Sequence, residues 1–321
     1  MKAVKLTGAG GVEVLDYTEV ETPRPGENQV LIEVAAAGVN FRDIGARRGV
    51  IGGGYKPQIL GVEGAGRILE VGPGVTDFKV GDRVAWTFVP HSYAERVVAP
   101  VGALVKAPED ISDEIAAAIM MQGLTASHFA TDFYPVRAGD VALVHAAAGG
   151  LGQLLTQIIK ARGGAVIGRV SRADKVEAAK AAGADHVIVD AEGDFAEEAI
   201  RLSGGEGVHV VYDGSGPSTF AGSLSALRSS GTLCWYGPVL GGPGAIDIMS
   251  LPRSVKVGYA VFTDHVRTPA LFRARAADLF KAVASGDLKV APPRTYRLAE
   301  AAQAHADMES RRSTGKLLLI P

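Results

Sequence analysis

Two hydrophobic rhythms divide this chain. Over its first hundred or so residues, short apolar runs at 30–39, 68–75, 80–86 and 93–99 are broken by Gly, Pro and charged positions. These predict short strands joined by turns, and so a compact, barrel-like β unit. At Ser112 the pattern changes. Ser112-Asp113-Glu114-Ile115 reads as a capped helix start, and strands and helices alternate from there to about residue 250. The runs at 141–144, 165–168, 183–190, 208–214 and 231–237 are nearly continuous in apolar residues, as in strands covered on both faces of a parallel sheet. After Arg253 the pattern gives a strand over 255–262, a helix over 269–285 and a last strand over 316–320. That tail is expected to return to the N-terminal unit. The expected fold class is α/β, a doubly wound parallel sheet (116–252) inserted into a β-barrel unit (1–115 and 253–321), with the substrate between them.

The segment 141–152 carries the clearest chemistry. Val141-Ala142-Leu143-Val144 stops at the turn His145-Ala146-Ala147-Ala148-Gly149-Gly150-Leu151-Gly152. Leu154, Leu155, Ile158, Ile159 and Ala161 then follow at helical spacing, with Gln153, Gln157, Lys160 and Arg162 between them. The order is strand, tight turn, helix N-terminus, which aims free backbone N–H groups and a positive helix end at a pyrophosphate. Gly149 allows close approach to the phosphates, and Gly152 close packing of helix on strand. The turn reads Ala147-x-Gly149-x-x-Gly152, with alanine where the fingerprint usually begins with glycine. Ala147, Ala148, Gly149, Gly150, Leu151 and Gly152 are the expected cofactor contacts. An ordinary glycine-rich α/β turn is the plain alternative.

The next strand ends in Arg169-Val170-Ser171-Arg172-Ala173-Asp174-Lys175. An NAD site usually places an acid here, roughly 20 residues past the glycines, for the ribose hydroxyls. Arg169, Ser171, Arg172 and Lys175 offer two planar forks, a hydroxyl and a point charge instead, suited to the 2′-phosphate of NADPH. Asp174 is read as opening the next helix.

Composition narrows the class. The chain has 321 residues, 47% hydrophobic and 21% charged, enough for two packed domains. A net charge of −2 gives no electrostatic case for nucleic acid or anionic membranes. No apolar run reaches the length of a membrane span, and the N-terminus reads as a strand rather than a signal peptide. One cysteine, Cys234, excludes an intrachain disulfide and a cysteine-rich metal site, and is expected in a buried strand. A cytosolic protein is expected.

These motifs together resemble the zinc-independent quinone oxidoreductases of the medium-chain dehydrogenase/reductase superfamily, the group that includes ζ-crystallin. The likeness runs nearly end to end. It is carried by Ala37-Gly38-Val39-Asn40-Phe41-Arg42-Asp43, Gly61-Val62-Glu63-Gly64-Ala65-Gly66, Val80-Gly81-Asp82-Arg83-Val84, Gln122-Gly123-Leu124-Thr125-Ala126, the glycine turn, Val211-Tyr212-Asp213 and Glu309-Ser310-Arg311. The resemblance implies a GroES-like β domain joined to a Rossmann domain, NADPH as hydride donor, and a homodimer paired through the middle of 255–262. It further implies that Asn40 faces the nicotinamide end, that Thr125 lies near the nicotinamide ribose or amide, and that Arg311 contacts the cofactor. Tyr55, on the glycine-rich loop 51–55, is a candidate to close over the substrate.

Each candidate has a plainer reading: a turn or capping Asn40, a capping Thr125, an exposed loop Tyr55. Asp213 reads as a structural aspartate organising the loop 214–216, His145 as a packed histidine, and Arg312 as solvated. His91 is a minor candidate to line the cleft. Two departures from the family follow from the resemblance. Gly45 stands where relatives can carry a tyrosine, which widens the substrate end. Asp190 ends a strand where some members place a tyrosine beside the 2′-phosphate, an acid that would weaken NADPH preference unless paired, with Lys175 as the expected partner.

No metal is expected. Where zinc-dependent relatives hold Cys and His, this chain has Asn40 and Val62, and the cysteine-rich lobe of zinc-bearing relatives is missing after Gly81-Asp82. Without a Lewis acid, alcohol oxidation lacks a way to stabilise an alkoxide, whereas a quinone or enone delocalises incoming charge onto its own oxygen. The expected activity is NADPH:quinone reduction by direct hydride transfer. The alternatives are a medium-chain enoyl reductase and, in another class, an NADPH-binding structural or regulatory protein with little turnover.

Overall fold

The computed structural model describes residues 1–51, 54, 56 and 58–321. Its Cα packing divides the chain into two units, Met1–Leu124 with Val266–Pro321, and Thr125–His265.

The second unit is built on a six-stranded, all-parallel sheet. Its strands are β8 (Val141–Val144), β9 (Ala165–Val170), β10 (His186–Val189), β11 (Val208–Asp213), β12 (Leu227–Trp235) and β13 (Lys256–Tyr259), arranged β10-β9-β8-β11-β12-β13. Starting at β8, this is the doubly wound order 3-2-1-4-5-6, and it reverses between β8 and β11. Helices α3 (Gly150–Ala161), α4 (Val176–Ala181), α5 (Ala196–Leu202) and α6 (Pro217–Ala226) connect the first five strands. The apolar runs form a core in which Leu143, Ile167, Val211 and Leu233 of four adjacent strands meet Phe195, Ala199 and Leu224. Cys234 lies buried in β12, where desolvation pushes its thiol well above the ordinary range, so it is a packing group.

In the first unit, β3 (Gln29–Val39) is the central strand. It pairs antiparallel with β4 (Glu63–Val71), β6 (Arg96–Pro100) and β15 (Leu317–Ile320). Beyond these, β5 (Arg83–Thr87) pairs β4, β7 (Leu104–Lys106) pairs β5, and β14 (Arg294–Arg297) pairs β15. Irregularities in the β3–β4 register curl the sheet. A separate hairpin joins β1 (Lys2–Leu6) and β2 (Leu15–Glu19). The C-terminal strand thus returns to the N-terminal unit.

Two expectations need correction. The strand expected over 255–262 is confined to Lys256–Tyr259, and it extends the parallel sheet beside β12 instead of returning to the first unit. Its apolar residues gave no means of choosing between the two sheets. Asp174 does not cap α4, which begins at Val176: it lies in the 3₁₀ turn Ala173–Lys175 that leads into that helix, and its carboxylate pairs with Arg172 at 2.8 Å. The helix expected at 269–285 is α7 (Pro269–Ala284), capped by the Thr268 hydroxyl, and the Ser112 hydroxyl accepts from Ile115 N–H at the start of α2 (Asp113–His128). Among the described residues no helix is long and apolar enough to cross a membrane.

Candidate functional site

The glycine turn sits where the strand order reverses. Ala146 takes φ 50°, a left-handed conformation that swings the chain from β8 toward α3. Gly149 N–H donates to Ala146 O at 2.8 Å and Ala147 N–H to Arg169 O at 3.1 Å, which fixes the loop against β9. Gly149 is the N-cap of α3 and no side chain caps that end, so the first-turn amides keep their capacity for an anion. A Cβ on Gly152 would fall against Ala146 O and 2.7 Å from Ala147 Cα, both backbone. Ala147, in place of the first glycine, is fully buried, and its methyl fills space that exists because residue 168 of β9 is glycine: a Cβ there would lie 2.9 Å from it. These residues fit a dinucleotide.

At the end of β9 the structure corrects one assignment. Arg169 is buried, not held out as a phosphate fork. Its Nε donates to Asp190 Oδ2 at 2.7 Å, Nη1 meets His145 Nδ1 at 3.4 Å, and the guanidinium lies over the Phe195 ring. Parallel pairing of β9 with β10 sets Arg169 opposite Ile188, two residues before the acid. Asp190 also accepts from the backbone N–H of Glu192, Gly193 and Asp194, and these bonds with Arg169 hold its carboxyl below the usual range. The expected partner Lys175 is therefore replaced by Arg169, and the acid that threatened NADPH preference is neutralised internally. Ser171, Arg172 and Lys175 remain on the segment after β9, with Arg172 exposed beside Asp174.

Beneath the turn, Asp213 at the end of β11 is fully buried. It accepts from Ser215 N–H at 2.8 Å, Thr219 Oγ1 at 2.9 Å and Ser223 Oγ at 2.7 Å, which ties the loop 214–216 to α6 as a structural aspartate would. His145 meets Ser223 Oγ at 3.0 Å, and burial depresses it to about 4 against the pull of Asp213. It is a neutral packed histidine, not a base.

In the first unit Asn40 is the N-cap of α1 (Phe41–Arg47), and its N–H donates to Asp43 Oδ2 at 2.9 Å. Its side chain belongs to a buried cluster. Asn40 Nδ2 donates to Glu63 Oε1 at 2.7 Å and Gly38 O at 3.4 Å, while Oδ1 accepts from Lys316 Nζ at 2.9 Å. Glu63, without exposed surface, also pairs with Lys316 and accepts from Met121 N–H at 2.7 Å. Both amide hydrogens of Asn40 are engaged, so it offers at most one oxygen lone pair to a ligand. Lys316 was missed as a site residue. The available signal was a lysine heading an apolar strand.

Asp43 continues the chain of contacts inward. Tyr93 OH donates to Asp43 Oδ2 at 2.9 Å and meets His305 Nε2 at 3.2 Å; Arg47 reaches His305 Nδ1 at 3.3 Å and Glu309 at 2.8 Å. Burial raises Asp43 to about 6, and burial with the Arg47 charge lowers His305 to about 3.

These shifts predict acid sensitivity. His145 and His305 stay neutral when folded but take up protons when unfolded below pH 6.5, so their stabilisation is complete above that pH and drains as pH falls toward 4. Asp43 acts oppositely between 6 and 3.8 and offsets about one proton. Urea titrations should show stability falling by about 1.4 kcal/mol per pH unit between pH 6 and 4. A flat or rising profile would contradict these assignments.

Of the other candidates, Thr125 lies inside α2, not at a cap. Tyr55 lies outside the described residues. Arg311 follows α8 (Ala301–Glu309) at φ 54°, a conformation that costs an arginine of order 1 kcal/mol, and its neighbour Arg312 is exposed. His91 is exposed on a turn at φ 72°, and Gly45 is buried in α1.

A doubly wound sheet with a glycine turn at its reversal, in a chain that also carries a bulged antiparallel unit completed by the C-terminus, defines a class. The chain belongs to the medium-chain dehydrogenase/reductase superfamily. Residues 26–109 match the family described as Alcohol dehydrogenase GroES-like domain, and residues 182–319 the one described as Zinc-binding dehydrogenase. A quinone oxidoreductase of Pseudomonas aeruginosa is 36% identical, covering 100% of this chain and 99% of that protein. A 2-haloacrylate reductase of a Burkholderia species is 36% identical over 97% of this chain and 96% of its own length. The crystal structure of Escherichia coli quinone oxidoreductase complexed with NADPH superposes with a TM-score of 0.96 at 33% identity, covering 100% of both chains. The zinc in the second family description does not fit the residues at positions 40, 62 and 63. Asn40 and Val62 offer an amide and an alkyl group, and the Glu63 carboxylate is committed to Lys316, Asn40 and Met121 N–H.

Proposed function

We propose that this chain is an NADPH-dependent quinone oxidoreductase that transfers hydride directly to a quinone or related conjugated carbonyl, without a metal. The observation that carries this reading is the uncapped glycine-turn cradle at the sheet reversal, in a chain related end to end to quinone oxidoreductases. Bound there, NADPH supplies the hydride. Residues 147–152 hold its pyrophosphate, Ser171, Arg172 and Lys175 its 2′-phosphate, and Arg311 a further part of the cofactor. Thr125 is assigned to the nicotinamide end and Tyr55 to the acceptor. Asn40, its amide locked, serves as a fixed acceptor. Because the acceptor spreads the incoming charge onto its own oxygen, the residues mainly align the reactants and exclude water.

NADPH and NADH consumption measured with a small quinone and with a 2-haloacrylate or enoyl thioester tests this. Faster turnover of the quinone is expected. The Burkholderia relative favours the second reading, a reductase of conjugated alkenes, which faster turnover of those acceptors would establish. Tight NADPH binding without consumption would refute both in favour of a non-catalytic nucleotide binder. Lys175→Ala should raise KM for NADPH about 10- to 100-fold, the worth of one charge-assisted contact, and leave KM for NADH nearly unchanged. Equal effects would remove Lys175 from the 2′-phosphate.

The proposed assembly is a homodimer paired through β13. Among the described residues this strand has one partner, β12, and it leaves Val257 and Tyr259 exposed. Light scattering should give twice the chain mass, falling to a single chain when Val257 and Tyr259 are both changed to Lys. A monomeric wild type would overturn the pairing. A cytosolic location accords with the demand for NADPH.

A further inference from the structure

Among the described residues, one group of three side chains has the donor types of a transition-metal site, and it shares no residue with the cofactor and substrate assignments. His128, Asp132 and His265 each offer one ligand atom, and the three atoms lie within 4.8 Å of one another. We infer that these three residues form a binding site for a divalent first-row transition-metal ion, of which Zn²⁺ is the most fitting.

Local structure supports the convergence. α2 ends at His128, and Phe129–Phe133 form one turn of π-helix, closed by Tyr134 N–H donating to Phe129 O at 3.1 Å. Such wide turns recur at functional sites because they re-aim side chains without ending a helix. His128 and Asp132 stand four residues apart, a spacing that places two ligands on one helical face. The third ligand comes from a separate segment. His265 follows the short turn Phe262–Asp264, its N–H donates to Phe262 O at 2.9 Å, and its Nδ1 contacts Asp132 Oδ2. The imidazoles of His128 and His265 lie 5.4 Å apart between centroids, and Phe129 and Phe133 pack beside His128.

Both histidines are buried, while the Asp132 side chain is 41% exposed. The cluster is therefore held on the protein side and open on the other, leaving a position for water. Two imidazoles and one carboxylate suit the borderline divalent ions and are poor for Mg²⁺ or Ca²⁺, which take oxygen sets. An ion pair alone needs only His265 and Asp132. The second buried imidazole, its ligand atom within 4.8 Å of both, completes a three-ligand set. Bound metal would clamp the end of α2 to the segment that closes the second unit.

The test uses full-length protein without a metal-affinity tag, dialysed against chelator and then titrated with Co²⁺, whose visible absorption reports low-coordinate nitrogen and oxygen ligation. Zn²⁺ affinity follows by competition with a chromophoric chelator. One ion per chain is expected, with Zn²⁺ displacing the Co²⁺ band. Asp132→Asn, at a half-exposed position that should leave folding intact, and His265→Gln should each weaken binding about tenfold or more. Glu27→Gln, at an exposed carboxylate elsewhere, should change nothing. No stoichiometric Co²⁺ spectrum in the wild type, or binding retained in Asp132→Asn, would overturn the site even if His265→Gln failed to fold.

Discussion

Gly152→Val should yield a folded protein that has lost its hold on the pyridine nucleotide. The side chain would begin inside the van der Waals shell of Ala146 O and 2.7 Å from Ala147 Cα, and neither can rotate away because both are backbone. Relief requires α3 to slide off β8 or the turn to open. Either movement displaces the first-turn amides of residues 150–152 from the position an anion would occupy, and misplacement by about 1 Å costs about 100-fold where positioning governs the chemistry. NADPH titrated by fluorescence or calorimetry should show a dissociation constant raised about 100-fold or more. Gly152→Ala, which begins with the same clash, should move in the same direction. An unchanged affinity in Gly152→Val would remove the turn from the cofactor site and with it the main support for the proposed activity.

Lys316→Met should cost about 3–5 kcal/mol of stability, the penalty for leaving a buried charge without its partner. Glu63 has no solvent access, and after the substitution only Asn40 Nδ2 and Met121 N–H would remain to hold its carboxylate. The pair itself need not be stabilising relative to apolar residues, because desolvating both ions offsets most of their attraction. The double variant Lys316→Met/Glu63→Gln should therefore recover much of the loss, since no charge is then stranded and the amide oxygen can still accept from Met121 N–H. Urea unfolding of the two single variants and the double closes the cycle. Additive losses would mean that Lys316 and Glu63 act independently, contrary to their contact.

How far the chain could be read beforehand followed from the range of each interaction. The glycine turn, α3 and the alternation of buried strands depend on neighbours within about a dozen residues, and the periodicity exposed them. Asp213 and His145 were read as structural because each sits at a strand end inside an apolar run, and their partners Thr219, Ser223 and Arg169 agree with that. Arg169 was misassigned because its partner lies 21 residues away on the adjacent strand, and the chain alone does not reveal that the two strand ends are level. A basic residue and an acid at the ends of successive parallel strands was nonetheless a usable clue. Lys316 and Glu63 lie 253 residues apart and meet only because β15 and β4 flank β3. The place of β13 was illegible for a different reason: four residues of an edge strand carry no mark of which sheet they join.

Ala147 of the turn and Gly168 of β9 form a fitted pair, a methyl on one filling the hollow left by the other. A chain of this kind can drift from glycine to alanine at the head of its fingerprint only after the facing position has shed its own side chain. Substitutions at the two sites should therefore travel together among relatives, and a search that demands three glycines in the turn will pass over members that store the missing one in the strand next door.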